Sequence, residues 1–343
     1  MARIALFLFV ATLGAIGVLY ALDIGIPIDE DMAIRRELRL SATGEDMDKR
    51  VSEALEQGDV GDAEMYAEIA AYIGRPLSEE TRARLDRATS TAATVARGTG
   101  EFVTGFATGE GATTAELAGA VTSDLTVVGD VRDIAREGAK LVAGEEYSEL
   151  ILGLSVVGLA ATAATVATGG GGVVAKLGVS LVKVAHRAGT LTADFARTLT
   201  RLSREAVNMD DLVRTLRATD LTNLKATEEA VAGVARNIGD AKIFPVVADL
   251  GQLARNAGPG ETVKLMRYVR TTEDLQDVTA MSAKLGTKTR GVMEITGKAS
   301  LRAFKTSLNI IEFLIEQILA FLAWLLGLLG LGAGKRILRG RAR

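Results

Sequence analysis

Leu150 to Ala175 runs for 26 residues without a charge, LILGLSVVGLAATAATVATGGGGVVA. A stretch this apolar has to be hidden, either inside protein or inside lipid. One continuous helix is ruled out by the four consecutive glycines Gly169 to Gly172. Each costs about 1 kcal/mol relative to alanine in a helix interior, so the chain turns there. The reading is an apolar, Gly-rich helical hairpin over 148–187. Its first arm, to Thr168, is rich in Ala, Thr and Gly and just long enough to cross a bilayer. In its second arm, Val173 to Arg187, a polar stripe of Lys176, Ser180, Lys183 and Arg187 opposes Val174, Leu177, Leu181 and Val184. That pattern predicts an amphipathic helix lying on a protein or lipid surface.

The two ends of the chain are apolar as well. Ile4 to Leu22 is uncharged, preceded by Arg3 and followed by Asp23, Asp29, Glu30 and Asp31. Nineteen helical residues reach ~28 Å, close to the hydrocarbon thickness of roughly 30 Å. A cleaved signal peptide fits less well, because Leu19 would stand where a small residue belongs. Gln317 to Gly334 is also uncharged, and Lys335, Arg336, Arg339, Arg341 and Arg343 follow it. Basic residues flanking a span stay in the cytoplasm, so both termini are expected there. Before that segment Arg302, Lys305, Asn309, Glu312 and Glu316 mark a polar helix face. The face continues as the small residues Ala320, Ala323, Gly327 and Gly330, a seam on which another helix could pack closely. A span at 150–168 would push the basic C-terminal tail to the outside. A buried or surface-lying hairpin avoids that conflict and is the preferred reading; a third span is the alternative.

The net charge of −3 conceals an asymmetry. Residues 23–149 hold 27 acidic and 13 basic side chains, whereas residues 150–343 hold 16 and 26. Two solvated faces of opposite sign are the simpler reading; mutual attraction of the two parts, or a basic part near anionic lipid, is the sharper one. Cysteine is absent and histidine occurs once, at His186, which excludes disulfides and Cys/His zinc sites. Aromatic residues are 4%, too few for base or sugar stacking to be a main activity.

Between these segments the signals are helical. Thr43 with Asp46 predicts a capping box ahead of Met47, Val51, Ala54 and Leu55. Met65, Ile69, Tyr72 and Ile73 form the next face, Gly74 stops it, and Ser78 opens a helix beginning Glu79–Glu80. Asn208 before Asp210–Asp211, and Thr272 before Glu273–Asp274, mark later starts. Gly251, Gly258 and Gly286 read as punctuation, and Leu275, Val278, Met281 and Leu285 as a core stripe. The Gly-rich run 98–111 and Gly332–Lys335 match neither a dinucleotide nor a phosphate loop. Asp124, Asp130 and Asp133 with Arg132 and Arg136 could form an acidic site, but helix caps and solvated pairs explain them more simply. Arg197, Arg201 and Arg204 read as a solvated basic edge.

The run SDLTVVGDVRDI, Ser123 to Ile134, with the apolar hairpin after it, resembles uncharacterised inner-membrane proteins of GC-rich proteobacteria. It is also loosely similar to helical modules that precede toxin domains in polymorphic toxins. The resemblance covers a minor part of the chain and carries no catalytic residue.

The expectation is an all-α, multi-helix, membrane-anchored protein with a helical bundle or array between N- and C-terminal transmembrane helices. Its parts are an anchor (1–22), an acidic helical region (23–147), the hairpin (148–187), a basic helical region (188–300), a C-terminal transmembrane helix (301–334) and a basic tail (335–343). Arg3, Lys335, Arg336 and Arg339 set its orientation in a bacterial inner membrane, with the centre periplasmic. The expected function is a scaffold or interaction protein of the envelope, without catalytic residues, metal or cofactor. Its expected partners are the lipid bilayer, other envelope proteins or its own copies, with no nucleic acid and no small-molecule substrate. The alternative is a membrane-inserting or pore-forming protein using 150–187, similar in composition to the Ala/Gly-rich hairpins of pore-forming colicins.

Overall fold

Side chains that accept from free backbone N–H groups set most helix starts. In the computed structural model, which describes residues 29–90, 121, 127–168, 172–238, 241–308, 315, 316 and 319, all regular structure among these residues is helical. Two compact units are distinguished, Arg39–Lys298 and a smaller one drawn from Met1–Leu38 and Ala299–Arg343.

In the smaller unit, Asp29 Oδ1 accepts from the N–H groups of Asp31 (2.7 Å) and Met32 (3.2 Å) and opens α1 (Glu30–Ser41). Helical residues 299–308 bury Leu301 and Phe304 and expose Arg302 and Lys305.

The larger unit begins with the Thr43/Asp46 capping box of α2 (Gly44–Glu56). Asp59 caps α3 (Val60–Tyr72) and Ser78 caps α4 (Glu79–Ala88). Gly58 and Gly74 make the intervening turns at φ of 79° and 69°, which L side chains rarely adopt. Next come α5 (Val127–Ala143), α6 (Glu149–Thr168) and α7 (Gly172–Arg187). They are followed by α8 (Ala193–Ala206), α9 (Met209–Arg217), α10 (Leu224–Arg236) and α11 (Ile243–Ala257). The last are α12 (Pro259–Leu265), α13 (Thr272–Leu285) and α14 (Thr289–Thr296). Helix α13 is capped by Thr271, one residue before the expected start.

Helix α6 is the axis of this unit. Helices α5, α7, α8 and α10 pack around it. Every residue from Leu150 to Ala161 is buried. Hiding a Leu, Ile or Val side chain contributes about 1.5–3 kcal/mol, so this one helix supplies a large part of the driving force. The first arm of the hairpin is thus a core helix.

The second arm, α7, makes the most extensive helix contact, against α11. The crossing is antiparallel and uses two glycines. A Cβ on Gly178 would fall 1.8 Å from the Val247 carbonyl oxygen, and one on Gly251 would fall 2.0 Å from that of Val174. Gly251 therefore does not punctuate the chain, as its sequence context suggests. It lies inside α11 because only a residue without Cβ permits this approach. Helix α11 carries the stack onward to α13, whose Leu275, Val278, Met281 and Leu285 are buried. Helix α3 meets α14, where Gly291 packs against Ile69 and Met65.

The all-α expectation holds. Among the described residues, however, no helix is long and apolar enough to cross a membrane. Membrane anchoring thus has no support among them. Ile4–Leu22, Ala320, Ala323, Gly327, Gly330, Arg3, Lys335, Arg336 and Arg339 lie outside the described residues.

Candidate functional site

Helix α5 has three acidic residues at helical spacing, Asp130, Asp133 and Glu137, and all three are buried. The two aspartates face α7, whose stripe of Lys176, Ser180 and Lys183 is buried too. Lys183 Nζ stands 2.8 Å from Asp130 Oδ1 and 2.9 Å from Asp133 Oδ2. Lys176 Nζ donates to the other Asp130 oxygen. Arg187 closes the row, donating to Asp133 Oδ2 at 2.6 Å. Glu137, one turn on, accepts from Lys140 and from the Ser148 N–H at 2.8 Å, which ties α5 to the start of α6.

This overturns two expectations. The polar stripe of α7 faces inward, because α5 supplies the opposite charge at matching positions. Asp130 and Asp133 are neither caps nor solvated pairs. Gly158 of α6 makes the space: a Cβ there would fall 2.3 Å from Asp130 Oδ2. Burial pushes the Asp130 carboxyl above its ordinary range, although Lys183 and Lys176 oppose that. Burial acts the same way on Asp133, but Lys183 and Arg187 outweigh it and hold that carboxyl low. Asp133 Oδ1 and Ser180 Oγ are buried without a hydrogen-bond partner. The guanidinium groups of Arg132 and Arg136 lie 3.7 and 4.0 Å from that oxygen.

A second network joins α3, α12 and α14. The Arg290 side chain is 1% exposed and donates to Glu261, Asp62 and Glu294. Lys264 Nζ bridges Asp59 Oδ2 at 2.8 Å and Asp62 Oδ1 at 2.9 Å. The Tyr66 hydroxyl donates to Glu294 Oε2 at 2.5 Å. Burial and then Glu294 raise the Tyr66 pKa, so the phenol stays protonated. Burial also raises Glu261, with Arg290 opposing. Sequence reasoning missed this network. Its one local signal is the i,i+4 spacing of Arg290 and Glu294.

Both networks pair acidic residues of 23–149 with basic residues of 150–343. Glu149 with Arg204 and Glu68 with Lys288 do so as well. The charge asymmetry therefore includes attraction between the two parts and is not only two separately solvated faces.

A third feature is open to solvent. Ser148, Glu149 and Leu150 of the α6 start, His186 of α7, and Ala196, Arg197, Thr200, Arg201 and Arg204 of α8 line a cavity of about 530 Å³. Among the described residues, no group of three or more acidic or histidine side chains is arranged to hold a metal ion. No family model, curated protein or solved structure matches the chain.

Proposed function

We propose that the chain is a membrane-tethered, non-enzymatic scaffold of the bacterial envelope, presenting a rigid helical body. One observation carries this reading. Asp130 and Asp133, two aspartates of the acidic site that the sequence offers, have side chains with no solvent exposure, locked against Lys176, Lys183 and Arg187, and the third, Asp124, lies outside the described residues. A general acid or base must come within hydrogen-bond reach of its substrate, and these carboxylates are sealed from one. They instead tie α5 to α7 across α6, as a rigid body requires. The tether rests on the uncharged segments 4–22 and 317–334 and the basic residues beside them.

Cysteine scanning tests it, in a chain that has no native cysteine. Ser90, Ala218 and Ala283 are exposed and Ala342 lies in the basic tail. Single S90C, A218C, A283C and A342C variants are treated with an impermeant maleimide in cells with a permeabilised outer membrane. Labelling of the first three with protection of A342C is expected, in a protein that resists carbonate extraction. Extraction by carbonate removes the tether. Protection of A218C and A283C with labelling of A342C means that 150–168 crosses the membrane.

A pore-forming hairpin is a second reading, favoured by the enclosed, charge-free run of α6 after Glu149. It ranks lower because Lys176 and Lys183 of the second arm would enter lipid, at about 2.5–3.5 kcal/mol each near its centre. Dye release from anionic vesicles by the full chain, abolished when Ala163→Arg puts a charge at an exposed position of α6, is the result that would promote it.

A further inference from the structure

Arg197, Arg201 and Arg204 recur at steps of four and three along α8 and all line the cavity beside the start of α6. Arg197 and Arg201 are 78% and 63% exposed, so their guanidinium groups are accessible. Arg197 and Arg201 have partners within their own helix, Asp194 and Glu205, and Arg204 pairs with Glu149 at the start of α6. Exposed pairs of this kind contribute little and exchange readily. Asp194 and Glu205 do not line the cavity. Its lining holds three arginines against the single carboxylate of Glu149, an excess of positive charge. Its volume falls within the roughly 300–1,000 Å³ of small-molecule sites. Ser148 and Leu150, at the start of α6, line it as well.

We propose that this cavity binds a phosphate group carried by a small metabolite or a lipid headgroup. Planar guanidinium forks match phosphate oxygens in pairs, a geometry that lysine cannot supply. The Glu149 carboxylate already pairs with Arg204, one of the three guanidinium groups that a phosphate would use. A bound phosphate would displace it, so Glu149 acts as an internal competitor.

The test uses the full chain in a neutral detergent at low ionic strength. Inorganic pyrophosphate is titrated calorimetrically into wild type, R197Q/R201Q and E149Q. Titration with soluble dihexanoyl phosphatidic acid, with dihexanoyl phosphatidylcholine as the control, forms the second arm. Pyrophosphate is expected to bind wild type at one site. Affinity should fall at least tenfold in R197Q/R201Q, the scale of one lost charge-assisted contact, and rise several-fold in E149Q. Both arginines are exposed, so an unchanged circular-dichroism melt is expected to show that the double variant remains folded. Phosphatidic acid binding to wild type that is lost in R197Q/R201Q, with no pyrophosphate binding, assigns the phosphate to a lipid headgroup. The proposal fails if neither probe binds, or if R197Q/R201Q binds both as wild type does.

Discussion

Asp130 and Lys183 lie 53 residues apart in the chain and 2.8 Å apart in space, with neither side chain exposed. A buried ion pair is weak evidence for stability in itself, because desolvation offsets much of the attraction. It is strong evidence for register. Helices α5 and α7, both packed on α6, can take only one axial offset without stranding a charge.

Breaking that register should be costly. Asp130→Asn removes the anion that Lys176 and Lys183 share, which leaves the buried Lys176 ammonium uncompensated while Asp133 still faces Lys183. A loss of about 3–5 kcal/mol is expected in urea unfolding, the usual scale for an uncompensated buried charge. The double variant D130L/K176M, which leaves Lys183 on Asp133, should recover most of it. Equal instability of the two variants would mean that packing, not charge, governs the site.

Acid should act through Asp133. Lys183 and Arg187 hold its pKa below the ordinary 3.8 despite burial. Its contribution is therefore fully present above 3.8 and is lost as pH falls through the lower folded-state value. The stability gap between wild type and Asp133→Asn should be constant from pH 7 to about 5 and close toward pH 3 and below. A gap that widens on acidification would contradict the assignment.

The α7–α11 crossing makes a steric prediction. Gly178→Ala and Gly251→Ala each place a methyl group against backbone, since the nearest atoms are carbonyl oxygens at 1.8 and 2.0 Å. Backbone cannot yield as a side chain can, so each variant should lose about 1–3 kcal/mol or more despite alanine's better helix propensity. Gly233 in α10 has nothing within 4 Å of its would-be Cβ. Gly233→Ala should gain roughly 0.5–1 kcal/mol, measured in the same titration.

Arg290 offers a test of fork geometry. One guanidinium serves Glu261, Asp62 and Glu294 at once. Lysine keeps the charge but not the planar fan of donors. Arg290→Lys should therefore lose about 1.5–3 kcal/mol, the scale of a hydrogen bond to a charged group, although net charge is unchanged. Stability equal to wild type in thermal unfolding would show that charge alone suffices.

Local signals were legible in the sequence; the partners of buried charges were not. Thr43, Ser78 and Asn208 cap helices where their side chains predict it, since capping involves neighbours only three residues on. The stripe of α7 is legible at the right positions, but the buried partner that it faces is not. Periodicity shows that Lys176, Ser180 and Lys183 share a face, but the matching aspartates lie some 50 residues earlier. The same limit hides Gly251. A glycine at a helix crossing and a glycine at a helix end look alike until the second helix, here with Gly178, is known.

The Tyr66–Glu294 and Asp62–Arg290 links each span 228 residues. At synthesis rates of about 5–20 residues per second, Asp62 waits roughly 10–45 seconds for its arginine to be made. In the first part of that interval, before Lys176, Lys183 and Arg187 are made, the nascent chain holds the excess of carboxylates in 23–149 without these cations. Like-charge repulsion keeps such a chain expanded. Helix α6 then emerges with α5 in place but α7 still to come, so the order of residues along the chain postpones collapse until the basic helices can complete the core.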